Sequence, residues 1–109
     1  MNFSDRYSLV LHRRVAEKLT SNPVKVLSTA NENLERWLAK GSFAFGPERR
    51  ALLEWKNILE SSSPREIESI ITAITDEGQR LRSSSPFAGI LTEQEQTIVW
   101  NECAEIGLD

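Results

Sequence analysis

The sequence predicts an all-α fold, a single compact domain of five or six short helices over residues 1–109. Three observations carry that expectation. Apolar side chains recur at three- and four-residue spacing along most of the chain, the period at which one helix face is buried. Pro23, Pro47 and Pro64 each stand where a helix can begin, because a first-turn residue has no intrahelical use for its N–H. Ser63 with Glu66, and Thr92 with Glu95, have the spacing of capping boxes, in which a hydroxyl and a carboxylate each satisfy a backbone N–H at a helix start. A chain of 109 residues suits one domain with a real but modest core.

The first helix is expected over residues 4–20, where Tyr7, Leu11, Val15 and Leu19 form a stripe widened by Val10, with His12, Arg13 and Arg14 beside it. Asn22-Pro23 is a stop and restart. The second helix, residues 23–40, presents Leu27, Ala30, Leu34, Trp37 and Leu38, and Gly41 ends it. A short loop at residues 42–46 carries two phenylalanines that plug the edge of the core. The third helix opens at Pro47 with Leu52, Trp55 and Leu59 inward, and the serines before Pro64 break it. The fourth carries Ile67, Ile70, Ile71 and Ile74. Thr75 or Asp76 caps a fifth helix that runs to Arg82 and is weakened by Gly78. After Thr92 the last helix runs to about Glu105, with Ile98, Val99 and Cys103 inward and Gly107 as terminator. The expected core includes Leu11, Val15, Leu34, Trp55, Ile67, Ile71, Ile74 and Ile98. Three tryptophans in separate helices are expected to pin helix contacts. Trp100 falls beside the Ile98–Val99–Cys103 face and is expected to be partly exposed.

The net charge of −3 hides an asymmetry. Residues 1–22 hold Arg6, Arg13, Arg14 and Lys18 against Asp5 and Glu17. Residues 87–109 hold Glu93, Glu95, Glu102, Glu105 and Asp109 with no lysine or arginine. The two ends either face each other or the acidic end addresses a basic partner. The single cysteine, Cys103, permits no internal disulfide and is read as a small core residue. Cys103 with His12 falls short of a zinc set. One histidine, no Gly-x-Ser-x-Gly and scattered glycines leave nucleophilic catalysis and phosphate-loop chemistry without the residues they need. The expectation is a non-catalytic protein with no cofactor, metal or small-molecule substrate, cytoplasmic because no secretory leader or membrane span is evident.

Two binding classes remain. A protein interface is expected on residues 80–91 and the adjoining last helix. Arg80 and Arg82 offer planar hydrogen bonding, Ser84 and Ser85 free hydroxyls, and Phe87, Ile90 and Trp100 apolar area, in a stretch the helical pattern does not require. Phe87 and Leu91 have a second reading as side chains folded back onto the last helix. The other class is a small helical DNA-binding regulator, for which His12, Arg13 and Arg14 with Lys18 form the best basic cluster and a possible second surface.

The run Ser84-Ser85-Pro86-Phe87-Ala88-Gly89-Ile90-Leu91-Thr92 followed by Glu95, with the earlier Leu11-His12-Arg13, resembles a family of short bacterial antitoxins. Such proteins are encoded beside the toxin they neutralise. Where the family tends to place an arginine after the glutamate of the last helix, Gln96 and Thr97 follow here. The resemblance implies binding to a cognate toxin, with operator DNA as a secondary partner.

Overall fold

The computed structural model describes residues 2–40 and 47–106. Among these there are six helices, α1 (Phe3–Ser21), α2 (Pro23–Ala39), α3 (Pro47–Ser61), α4 (Pro64–Ile71), α5 (Asp76–Arg82) and α6 (Glu93–Ile106), and no strand. The aromatic loop expected at residues 42–46, and the terminators Gly41 and Gly107, lie outside the described residues.

The helix starts follow local chemistry. Asn2 accepts the Asp5 N–H at 2.8 Å to cap α1. Asn22 serves two helices: its N–H donates to Lys18 O at the end of α1, and its side chain accepts the Lys25 N–H at the start of α2. The Ser63–Glu66 box opens α4, with the Ser63 N–H on Glu66 at 2.9 Å and the Glu66 N–H on Ser63 at 3.2 Å. Thr92 and Glu95 repeat it on α6 at 2.9 and 3.1 Å. Thr75 caps α5 through the Gly78 N–H at 2.9 Å. Gly78, which costs helix propensity, is required by packing: a Cβ there would lie 2.3 Å from Ala73 O.

Helix α1 is the central element. It packs against α2, α4, α5 and α6, while α3 packs on α2. With neighbours on several sides, α1 buries Leu9, His12, Val15 and Leu19, and leaves Tyr7, Val10 and Leu11 half-buried. The expected stripe is therefore turned toward His12, and Leu11 sits at the edge of the core rather than within it. Val15, Leu34, Trp55, Ile67 and Ile71 are buried as expected, and so are Val99 and Cys103.

Two residues of the expected core lie outside it. Ile74 is 66% exposed because α4 stops at Ile71, so the chain leaves the helical register before reaching it. Ile98 is 51% exposed. The Val99–Cys103 pair defines the buried line of α6, and a side chain one residue away is rotated by about 100° from it.

These boundaries set different costs for two isoleucines. Ile71→Ala is expected to destabilise by about 2–5 kcal/mol, the range for a buried large-to-small change. Ile74→Ala should stay within about 0.5 kcal/mol, as surface changes do. Urea unfolding of both variants measures this, and equal losses would contradict the end of α4.

Candidate partner-binding surface

The segment between α5 and α6 is held from three sides by buried polar contacts. Ser85 donates its hydroxyl proton to His12 Nε2 at 2.7 Å and accepts the Phe87 N–H at 3.2 Å. His12 Nδ1 lies 2.7 Å from Ser8 O, and because a carbonyl can only accept, Nδ1 carries the ring proton and Nε2 is the acceptor. Asn33 on α2 donates both amide hydrogens, to Pro86 O and Ala88 O at 2.9 Å each, and accepts from Arg36. Trp55 on α3 donates its indole N–H to Leu81 O at 2.9 Å. Phe87 then fills the space between, edge-on to Trp55 at 5.6 Å and to His12 at 6.4 Å.

This placement resolves the two readings of Phe87 and Leu91: both are core side chains, Phe87 being 3% exposed. It also corrects two expectations. Arg82 is 4% exposed and is a structural residue, not a presented one. Its Nη1 donates to Ala73 O at 2.7 Å and Ile71 O at 3.4 Å, so it terminates α4 by satisfying carbonyls that no longer have helical partners. Its Nε and Nη2 meet no acceptor among the described residues. Burial, only partly offset by Asp5, holds its acidity above that of an ordinary guanidinium. His12, expected beside the first stripe, is 5% exposed. Burial lowers its pKa to about 4 against the opposing bond to Ser8 O, and the Arg82 charge lowers it further.

A serine hydroxyl on a histidine nitrogen has the outline of an activated nucleophile. Here burial holds the imidazole a weak base, and the Phe87 N–H that could face an oxyanion is already given to Ser85. The pair works as a tie between α1 and the segment. Among the described residues no group of three metal-ligating side chains converges, and no helix is long and apolar enough to cross a membrane.

The remaining expected site residues lie at separate places. Arg80 forms a two-pronged pair with Glu54 on α3 at 2.9 and 2.8 Å and also meets Glu77. Ser84 is half-buried over Leu81 O at 3.5 Å. Arg13 is exposed, whereas Arg14 pairs with Glu102, and Lys18 with Glu95 at 2.6 Å. The basic start and acidic end thus face each other across α1 and α6. Ile90 is half-buried and lines a groove with Lys18 and Lys25.

Trp100 is 54% exposed, on the outer side of α6 as expected. It stands edge-on against Phe3 at 4.9 Å and Tyr7 at 5.6 Å, both from the first turns of α1. Sequence reasoning did not pair these rings, which are far apart in the chain. It also missed Asn33, although a polar residue beside Leu34 on the inner side of α2 was a usable signal, since buried amides are retained where they make hydrogen bonds. Comparison with protein-family models, curated proteins and solved structures finds no match to this chain.

Phe87→Ala should cost about 3–5 kcal/mol in stability, as for a buried aromatic. Arg80→Ala should cost no more than about 1 kcal/mol, since exposed ion pairs contribute little. Thermal and urea melts compare the two directly; a neutral Phe87→Ala would place that ring outside the core.

His12 also sets an acid sensitivity. The unfolded chain takes up the proton near 6.5 and the fold only near 4. Its contribution is full above pH 6.5, falls as pH drops toward 4 because the unfolded state binds more protons, and levels off below. The loss is on the order of 3 kcal/mol. Glu95, held near 2 by the Lys18 bond and then by the Thr92 N–H, acts in a lower window, from its ordinary 4.5 downward. Stability measured between pH 7.5 and 4.5 should decline in the parent and more weakly in His12→Gln; parallel curves would show that His12 is not the group responsible.

Proposed function

We propose that this chain is a protein-binding module that acts by covering a protein partner, and that the partner is the toxin of a bacterial pair in which this chain is the antitoxin. The observation that carries the binding reading is the aromatic face at Trp100. An indole half in solvent and braced by Phe3 and Tyr7 offers a large rigid contact with little side-chain entropy left to lose. Aromatic anchors of this kind dominate the energy of protein interfaces. The antitoxin part of the reading rests on the phrases at residues 11–13 and 84–92, which supply the class of partner and not the contact surface.

The DNA-binding alternative draws less support from the charges. Two of the cations it needs on α1, Arg14 and Lys18, carry the carboxylates of Glu102 and Glu95, and His12 is buried and neutral. A helix that reads a duplex presents a field of uncompensated cations to the phosphates.

Expression of the neighbouring gene alone should arrest growth, co-expression of this chain should restore it, and the two products should co-purify. Trp100→Ala should weaken that complex by about 2 kcal/mol, a typical hot-spot loss, with a stability change within about 1 kcal/mol. A harmless neighbour removes the antitoxin assignment. Undiminished binding by Trp100→Ala moves the contact elsewhere. Specific duplex binding that falls steeply with salt and is lost in Arg13→Ala would favour the regulator instead.

A further inference from the structure

We infer that the outer face of α3 receives an acidic segment of a protein partner, one that carries an apolar side chain among its carboxylates. This is a second contact, apart from the Trp100 face on α1 and α6, and its chemistry is set by other residues. Arg49 and Arg50 stand four and three residues before Leu53, and Lys56 stands three after it. At that spacing the four side chains are neighbours on one face of the helix. Arg50 and Lys56 are exposed and Arg49 is half-buried. Leu53, between them, is 41% exposed.

The charge of this face is unspent. Arg49, Arg50 and Lys56 meet no carboxylate among the described residues. The carboxylates of α3 itself do not cancel it. Glu54 is taken by Arg80 from α5. Glu48 is five residues before Leu53 and so lies about 140° round the helix from it. Glu60 is one turn beyond Lys56 and forms no pair with it. On α1, by contrast, Arg14 and Lys18 are held by Glu102 and Glu95. Three uncompensated cations therefore gather on α3, a helix whose composition is balanced, while the basic start of the chain is partly neutralised.

Three chemistries answer to such a face: inorganic phosphate, a nucleic acid backbone and the carboxylates of a protein. Leu53 decides among them. Phosphate or a duplex would take the charges and leave Leu53 in water, and the net charge of −3 opposes the approach of a polyanion. An acidic segment with an apolar residue in it meets both parts of the face. Arginine is enriched at protein interfaces, and complementary charge speeds the encounter and fixes the register.

The test uses the full chain, ¹⁵N-labelled, and needs no cognate partner. It is titrated with the peptide Ac-Glu-Leu-Glu-Glu-Leu-Glu-NH₂. The comparisons are Ac-Glu-Ser-Glu-Glu-Ser-Glu-NH₂, which keeps the charge and drops the apolar side chains, sodium phosphate and a short DNA duplex. The leucine peptide should shift the amide signals of Arg50, Leu53 and Lys56, with an affinity that falls as salt is raised. Arg50→Glu, at an exposed position, should leave the spectrum folded and weaken binding roughly ten-fold, the effect of losing one favourable charge contact. Leu53→Ser should reduce the binding of the leucine peptide to that of the serine peptide. The inference is overturned if those three amides do not move, if the serine peptide, phosphate or duplex moves them equally, or if Arg50→Glu binds as the parent does. The toxin assignment is read by co-expression and the Trp100 contact by Trp100→Ala, so each can fail while this one stands, and the reverse.

Discussion

The structure depends on a small buried polar junction in which α1, α2 and the segment after α5 hold one another. His12 meets Ser85, and Asn33 meets the carbonyls on either side of Phe87. A segment with proline, glycine and serines has no ladder of its own to satisfy its backbone. Brought into a protein interior it would leave carbonyls without partners, at about 1–3 kcal/mol for each buried group. The two amide hydrogens of Asn33 remove that cost for two carbonyls, and the Trp55 indole adds a bond to Leu81 O, which also accepts the Ser84 N–H. Only with those bonds in place can Phe87 and Leu91 be buried, and they in turn close the core between Trp55, α1 and α6.

The same logic explains Arg82. A short α4 ending at Ile71 leaves carbonyls that the next helix does not reach, and a guanidinium from α5 supplies the hydrogens. Burying a charged group without a carboxylate is costly, yet its removal would orphan Ala73 O and Ile71 O. The segment that looks adhesive in one dimension is spent on holding the fold. Arg82 and Ser85 turn inward because the backbone and the imidazole around them need partners.

Two surface features lie at the two ends of the α1–α6 seam. At one end Phe3, Tyr7 and Trp100 form an aromatic face. At the other, past the Lys18–Glu95 pair, lies the groove at Gly89. Tyr7 and Lys18 are eleven residues apart on one helix, so the two places are separated by roughly 16 Å at 1.5 Å per residue. Both are framed by a rigid central helix with neighbours on several sides, which holds them at a fixed distance. Along the seam, Arg14 and Lys18 of the basic start are paired with Glu102 and Glu95 of the acidic end.

The sequence by itself determined the helical class, the helix starts and most of the inner faces. These are local matters: a cap or a proline acts on the next few backbone N–H groups, and a periodic stripe needs only its own helix to be legible. Asn22, Ser63 and Thr92 cap as expected, and of Thr75 and Asp76 it is Thr75 that caps α5. Only the tertiary structure decided where the non-periodic residues go. Ile74 and Ile98 lie outside because the end of α4 and the rotation of α6 are set by neighbours and not by propensity. His12 and Phe87 lie inside because of partners far away in the chain, 73 residues away in the case of His12 and Ser85, and Arg82 because of carbonyls past the end of the preceding helix. A polar side chain reads as exposed until something is known to hydrogen-bond it, and that knowledge exists only after the helices have met.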